Sequence, residues 1–170
     1  QDESPAGAVN FGFSGDVEIA SGKVVVAADF WIPAWPESGG FKLGVREAGG
    51  AAHSFADLWF SPGGQVGASD AGGGLGSVGG YAAGEVVRVL LHFDLDEATY
   101  DVFVNGQLLV DDEPHDVTGA GIGSVLVGCM SDPTIGNHCF VDNIFVGDYD
   151  PTPAETTSWG EIKSTFSLDR

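Results

Sequence analysis

The sequence predicts an all-β protein built as an antiparallel β-sandwich, and three observations support this fold class. Eleven short strand-like runs follow one another between residues 9 and 146, and most of the 27 glycines and 8 prolines fall between them. In residues 86–94 one alternating set of positions is wholly apolar, as in a strand with one face on a core. The dipeptide Asn105-Gly106 separates two further runs and favours a two-residue hairpin turn. With 170 residues, of which 43% are apolar, the chain can form one domain with two packed sheets.

Each predicted strand is an apolar or alternating run bounded by turn-forming residues. A polar turn at 94–97 separates residues 86–94 from residues 99–104, and Asn105-Gly106 separates the latter from 107–110. These runs should therefore form three consecutive antiparallel strands. In chain order, the strands are predicted at 9–13, 17–19, 23–32, 41–46, 53–60, 65–68, 86–94, 99–104, 107–110, 122–127 and 140–146.

The glycine-rich segment 70–80 contains a GxGxxG pattern at Gly74, Gly76 and Gly79. A dinucleotide site of this kind needs a strand before the glycines and a helix after them, because the helix N-terminus holds the phosphates. Here Tyr81-Ala82-Ala83-Gly84 leads into another strand. We therefore predict a tightly turned or flexible loop without a nucleotide.

The C-terminal end differs from the rest of the chain. Ser158 and Glu161 have the spacing of a capping box, and Trp159, Ile162 and Phe166 fall on one helical face. So short an amphipathic helix is unstable alone in water, so its apolar face should dock on its own sandwich or on another subunit. The predicted organisation is a sandwich domain at 1–147, a linker at 148–157 and a helical tail at 158–170.

The charge of the chain excludes several partners. Six Lys and Arg oppose 25 Asp and Glu, which gives a formal net charge of −19. Nucleic acid and anionic membrane surfaces would be repelled at long range, and the absence of a long apolar run predicts no membrane span. An acidic surface is compatible with calcium binding without requiring it.

The two cysteines, Cys129 and Cys139, flank a turn-rich loop between two predicted strands. A disulfide across so short a loop would contribute about 2 to 3 kcal/mol in the chain-entropy model and would indicate an oxidising compartment. Two reduced, buried thiols are the alternative. Because the chain starts at Gln1 without a methionine, we expect a secreted protein from which a signal peptide has been removed.

Tryptophans give the best candidates for ligand binding. Trp31 and Trp59 continue apolar alternations and are predicted to be buried. Trp35 lies on a proline-stiffened segment after a strand, and Tyr81 lies near another strand end. Since sugar rings stack on exposed aromatic faces, Trp35 and Tyr81 are the predicted glycan-binding residues.

Several segments carry a family resemblance. Phe93-Asp94 followed by Tyr100-x-Val-x-Val-x-Gly, together with Val141-Asp142-Asn143-Ile144, is similar to laminin-G-like and concanavalin-A-like jelly rolls over roughly residues 9–147. The resemblance implies two antiparallel sheets, an exported location and binding to glycans, proteins or matrix. It also implies a structural calcium ion, for which Asp142 is the first candidate. The Trp-Gly-x-Ile-Lys pattern starting at Trp159 resembles the closing segment of many secreted bacterial all-β proteins.

Catalysis is not expected. Hydrolases of concanavalin-A-like fold carry Glu-x-Asp-x-x-Glu or Glu-x-Asp-x-Glu on one strand face, and neither motif occurs here. Asp94, Asp96 and Glu97 fall at a strand end and in the following turn, where solvated acids are common. The four histidines are scattered and complete neither a triad nor a metal site.

Three functional hypotheses follow. The first is a secreted, non-catalytic jelly-roll protein that acts as an extracellular structural or adhesive component and self-associates through its termini into oligomers or filaments. The second is a carbohydrate-binding, lectin-like module. The third is a glycoside hydrolase or polysaccharide lyase, which a cleft with two facing carboxylates would favour.

Overall fold

The computed structural model describes residues 9–48, 54–70, 73–115, 121–129 and 138–148. Within these ranges the chain forms eleven strands and no helix, so no described helix could cross a membrane. Asp148, the first residue of the predicted linker, ends the last strand, and the rest of the linker and the helical tail, with Trp159, Ile162 and Phe166, lie outside the described residues. In chain order the strands are β1 (Val9–Ile19), β2 (Lys23–Trp31), β3 (Phe41–Glu47), β4 (Ser54–Ser61), β5 (Gln65–Asp70), β6 (Gly73–Gly80), β7 (Val86–Asp94), β8 (Thr99–Val104), β9 (Gln107–Pro114), β10 (Ile122–Cys129) and β11 (Phe140–Asp148).

The strands form two antiparallel sheets, and the predicted all-β sandwich is confirmed. The six-stranded sheet has the order β1-β10-β3-β4-β5-β6, and the five-stranded sheet has the order β11-β2-β7-β8-β9. Every strand pairing in both sheets is antiparallel. Each sheet therefore has an inner face on the core and an outer face directed away from it.

Aromatic rings from the two sheets join the core. Phe30 of β2 lies against Phe60 of β4, with ring centroids 4.7 Å apart, and both side chains are fully buried. Phe55 of β4 makes an edge contact with Phe93 of β7 at 5.9 Å. Because each pair joins one sheet to the other, these contacts hold the sandwich together.

The hairpin between β8 and β9 has the predicted geometry. Asn105 and Gly106 have φ angles of 51° and 80°, both positive, as a mirror-image two-residue turn requires. The Asn105 side-chain oxygen also accepts a hydrogen bond from the Arg88 N–H at 2.9 Å, and the Asn105 N–H donates to the Arg88 carbonyl at 2.8 Å. The turn is therefore fixed to the neighbouring strand β7.

Two elements differ from the sequence prediction. The two runs predicted at 9–13 and 17–19 form a single strand, β1, whose register shifts between Ser14 and Ile19. The glycine-rich segment predicted as a loop is the edge strand β6, paired with β5 along Gly73–Gly80. An edge strand needs only backbone hydrogen bonds from one neighbour, and its glycines provide no alternation of side chains for a pattern to detect.

Candidate functional site

Trp35 lies at one end of the sandwich, in the loop between β2 and β3. Its side chain is 52% exposed. The indole rests on Gly64 in the turn between β4 and β5, where a Cβ atom would come 3.0 Å from Trp35 Nε1. One edge of the ring is thus supported while much of its surface remains open to solvent.

Trp31 is exposed, and the prediction that it is buried was wrong. Its neighbours Phe30 and Ile32 point into the core, so the alternation of β2 directs Trp31 to the outer face of the five-stranded sheet, where it is 42% exposed. The indole Nε1 donates a hydrogen bond to the Gly84 carbonyl at 3.1 Å, and the ring packs against Phe140 at 5.2 Å. These contacts fix the orientation of the ring. Trp31 and Trp35 are called the aromatic end below.

Tyr81 does not provide the exposed ring that was predicted for glycan binding. Its side chain is only 7% exposed, and its ring makes an edge contact with Phe60 of the core at 5.5 Å. The Tyr81 hydroxyl donates to the Ser61 carbonyl at 3.1 Å, and its backbone N–H donates to the Gly64 carbonyl at 2.8 Å. Tyr81 therefore holds the turn that supports Trp35.

The burial of Tyr81 predicts an alkaline limit to stability. Burial, with a smaller contribution from Cys139, raises the pKa of Tyr81 from 10.0 to about 12. The folded state therefore keeps the phenol proton after the unfolded state has lost it. We expect the free energy of unfolding to fall by roughly 2 to 3 kcal/mol as the pH rises from 10 to 12.

Tyr81→Phe should remove that alkaline loss, at a constant cost of about 1 kcal/mol for the missing hydrogen bond to Ser61. Urea denaturation of both proteins at several pH values would measure the difference. An identical alkaline decline in both proteins would contradict this assignment.

A cluster of charged residues lies on the outer face of the six-stranded sheet. Lys42 and Arg46 of β3 both contact Asp57 of β4, with Lys42 Nζ at 2.8 Å from Asp57 Oδ2 and Arg46 Nη1 at 2.6 Å from Asp57 Oδ1. Arg46 Nη1 also donates to the Ser54 hydroxyl. Lys42, Asp57 and Arg46 are called the Lys-Asp-Arg cluster below.

The register of β3 and β4 brings this cluster together. Lys42 pairs with Trp59, Gly44 with Asp57 and Arg46 with Ser54, all at positions that alternate with core residues. A Cβ atom at Gly44 would lie 2.6 Å from Asp57 Oδ1 and 2.8 Å from Arg46 Nη1. Because Gly44 has no side chain, the Asp57 carboxylate and the Arg46 guanidinium can occupy this space.

Trp59 borders the Lys-Asp-Arg cluster. The indole Nε1 of this partly buried residue is inaccessible to solvent and has no hydrogen-bond partner among the described residues. The sequence reasoning missed the cluster, since it belongs to no known motif. The signal was the charge on alternate positions of two adjacent strands, Lys42-x-Gly44-x-Arg46 and Asp57-x-Trp59.

A pocket of about 460 Å³ lies on the five-stranded sheet and contains several carboxylates. Ligand atoms of Asp101, Asp111 and Asp112 lie within 4.8 Å of one another, and the Asp112 N–H donates to Asp101 Oδ1 at 2.9 Å. Such a group of oxygens could hold a cation. The lining residues are Lys23, His92, Phe93, Asp94, Glu97, Thr99, Tyr100, Asp101 and Asp112.

Two side chains in this acidic pocket have shifted pKa values. Burial lowers the pKa of His92, although Asp101 opposes this effect, so the imidazole is neutral at pH 7. Burial alone would raise the pKa of Asp94, but its hydrogen bond to Lys23 and the N–H groups of Glu97 and Asp96 outweigh it and lower the pKa. Asp94 is therefore ionised at neutral pH and pairs with Lys23 at 3.1 Å.

The predicted calcium residue Asp142 lies elsewhere. It is an exposed residue of β11, opposite Asp29 of β2, and its Oδ1 accepts a hydrogen bond from the Asn143 N–H at 2.8 Å. Among the described residues, the group with suitable ligand spacing contains Asp101, Asp111 and Asp112 but not Asp142. Structural calcium remains a prediction, with that group as the alternative location.

The predicted disulfide involves the ends of strands in different sheets. Cys129 is the last residue of β10 in the six-stranded sheet, and Cys139 directly precedes β11 in the five-stranded sheet. The Cys129 side chain lies outside the described part of the molecule, so the pairing remains a prediction.

Comparisons with known proteins identify the fold of this chain but do not assign it to a family. No protein-family model matches the sequence, and neither does any curated protein. A sialidase structure is 13% identical and superposes with a TM-score of 0.67, covering 88% of this chain and 15% of the sialidase. Trypanosoma rangeli sialidase in complex with sialic acid is 20% identical with a TM-score of 0.57, covering 74% of this chain and 20% of that one.

A chicken agglutinin structure matches this chain over the full length of the chicken protein. The homodimeric agglutinin CG-16 from chicken liver is 12% identical with a TM-score of 0.54, covering 82% of this chain and 100% of the agglutinin. The chain thus spans only 15 to 20% of the length of the two sialidases. At these identities the likeness shows a shared two-sheet sandwich, and function must be argued from the site.

Proposed function

We propose that this protein is a non-catalytic carbohydrate-binding module whose glycan contacts the aromatic end. The observation that carries the proposal is the pair of exposed indoles, Trp31 and Trp35, whose orientations are set by the protein itself. Trp31 is fixed by Gly84 and Phe140, and Trp35 rests on Gly64. Flat aromatic faces bind the C–H surfaces of sugar rings, and rings that are already ordered lose little entropy on binding.

The loops at this end connect the two indoles. The segment at residues 81–84 contacts Gly64 through the backbone of Tyr81 and contacts Trp31 through the Gly84 carbonyl. The Gly84 N–H also donates to the Ile32 carbonyl at 2.8 Å. The two rings therefore border one hydrogen-bonded segment, and a short oligosaccharide crossing it would contact both.

The similar structures support a sugar ligand. One is an agglutinin, and another is a sialidase in complex with sialic acid. This proposal joins two of the functions expected from the sequence, since a secreted adhesive component can act by binding glycans. Secretion and self-association through the termini are part of the same proposal.

Trp35→Ala and Trp31→Ala are expected to weaken glycan binding by about tenfold or more, because each removes one stacking face. Glycan-array screening followed by calorimetry with the best ligand would measure the loss. Leu108→Ala is the matched control, because Leu108 is a 42% exposed apolar residue of the same sheet but lies on the edge strand β9, away from Trp31. Thermal denaturation should show all three variants folded. Unchanged binding by both tryptophan variants would refute the proposal.

The acidic pocket favours a second candidate function, glycoside hydrolysis. Oxygens of Asp101 and Asp112 lie within 4.8 Å of each other, and carboxyl groups about 5 to 5.5 Å apart occur in retaining glycosidases. The ionised state of Asp94 makes it a poor proton donor, which places this candidate second. Analysis of the glycan recovered from the binding experiment separates the two functions. Intact glycan is expected, whereas cleavage that Asp101→Asn abolishes would favour the hydrolase.

A further inference from the structure

The Lys-Asp-Arg cluster has an unusual local charge. Two cations and one carboxylate give it a net charge of +1, whereas the whole chain has a formal net charge of −19. Lys42 and Arg46 are also two of only six Lys and Arg residues in the sequence. A positive site is therefore formed on the outer face of one sheet of a strongly acidic protein.

The two cations of this site have donors that their contacts with Asp57 leave unused. Both Asp57 oxygens are occupied, one by Lys42 and the other by Arg46. Lys42 Nζ, with three protons, contacts only Asp57 in the described structure, and the hydrogen bonds of Arg46 all involve Nη1. The buried Trp59 Nε1 is a further donor, without a partner in the part of the chain that the structure describes. The complementary ligand must supply acceptors and negative charge.

From these donors we infer that the Lys-Asp-Arg cluster is a subsite for the carboxylate of an acidic sugar. This inference rests on the proposed function and specifies its ligand class. A guanidinium and an ammonium match a planar carboxylate, and Trp59 is the cross-strand neighbour of Lys42. The side chains of Lys42, Asp57 and Arg46 are only 16%, 12% and 12% exposed, so the site admits a small charged group rather than a whole sugar ring.

The position of the subsite fits a glycan that also contacts Trp35. Trp59 lies two residues before Ser61, the last residue of β4, and the following turn contains Gly64, on which Trp35 rests. The acidic chain would repel a polyanion at long range. The ligand is therefore a largely neutral oligosaccharide with one acidic residue, whose neutral part reaches the aromatic end.

The test compares saccharides that differ in their acidic group. Calorimetry would use galactose oligomers that end in a single galacturonic acid against all-galactose oligomers of the same length, and sialyllactose against lactose and sulfated lactose. Wild-type protein should bind at least one carboxylate sugar about tenfold more tightly than its neutral partner, as one charge-assisted hydrogen bond produces. Preference for sulfated lactose alone would overturn the carboxylate assignment.

Substitutions at Lys42 test whether the preference for carboxylate sugars comes from this site. Lys42→Gln should remove the preference, and Lys42→Arg should retain it. Trp59→Phe, which keeps an aromatic ring but lacks the N–H, should weaken it. Arg88→Gln is the matched control, since Arg88 also pairs with an aspartate, Asp29, but lies on the other sheet, and it should leave the preference unchanged.

Different results separate this inference from the proposed function. Equal binding of acidic and neutral sugars by the wild-type protein, or an unchanged preference in Lys42→Gln, overturns the subsite. If Trp35→Ala still weakens binding in that case, the carbohydrate-binding function stands. Binding to no saccharide overturns both.

Discussion

Replacing Asp57 by asparagine is expected to lower the free energy of unfolding by about 3 to 5 kcal/mol, because it removes the only carboxylate from a largely buried group of charges. Lys42 and Arg46 both contact Asp57, and their side chains are 16% and 12% exposed. Asparagine keeps the size and one acceptor oxygen of aspartate but cannot neutralise two cations. Urea denaturation at pH 7 would measure the loss.

Asp94→Asn provides the control for Asp57→Asn. Asp94 also pairs with a lysine, but its partner Lys23 is 56% exposed, and ion pairs at the surface contribute less than about 1 kcal/mol. The asparagine can still accept hydrogen bonds from the N–H groups of Asp96 and Glu97. If Asp57→Asn and Asp94→Asn unfold at the same urea concentration, water shields the Lys-Asp-Arg cluster and our account of its burial is wrong.

The sequence predicted the elements whose physics is local. The hairpin at Asn105-Gly106 depends on two residues that tolerate positive φ and on the runs beside them, and the structure has that turn. The alternation in β7 likewise indicates which side chains face a core without specifying the partner. These features determined the sandwich class.

The candidate sites depend on how strands pair and on which face each side chain occupies, and no local sequence pattern predicts either. Trp31 was predicted to be buried because its neighbours are apolar, but the alternation of β2 places it on the outer face. Tyr81 lies near a strand end as expected, yet its ring is buried against Phe60 of β4. Lys42 and Asp57 meet only through the register of β3 with β4.

The same dependence explains why a chain with few cations can form a positive site. Sequence composition gives the net charge of −19, and that value excludes polyanions as partners at long range. The net charge does not indicate that Lys42 and Arg46 both contact Asp57. Net charge therefore governs the approach of a ligand, whereas strand register governs the contacts it makes after arrival.

Gly40→Ala is expected to destabilise the protein by about 3 to 5 kcal/mol, because two effects combine at this position. Gly40 has a φ angle of 151°, which favours glycine, and a Cβ atom there would overlap the carbonyl oxygen of Phe60. Neither Gly40 nor the backbone of β4 can move without disturbing the pairing of Phe41 with Phe60. Thermal and urea denaturation would measure the loss.

Gly63→Ala separates the two effects. Gly63 has a φ angle of 75°, but apart from its two chain neighbours no described residue has an atom within 4 Å of the position that its Cβ would occupy. This variant should therefore lose only about 1 to 2 kcal/mol from backbone strain. Equal destabilisation by the two substitutions would show that the contact with Phe60 yields easily. A larger loss in Gly40→Ala would show that overlap with the Phe60 carbonyl adds to the backbone strain where the loop that carries Trp35 enters β3.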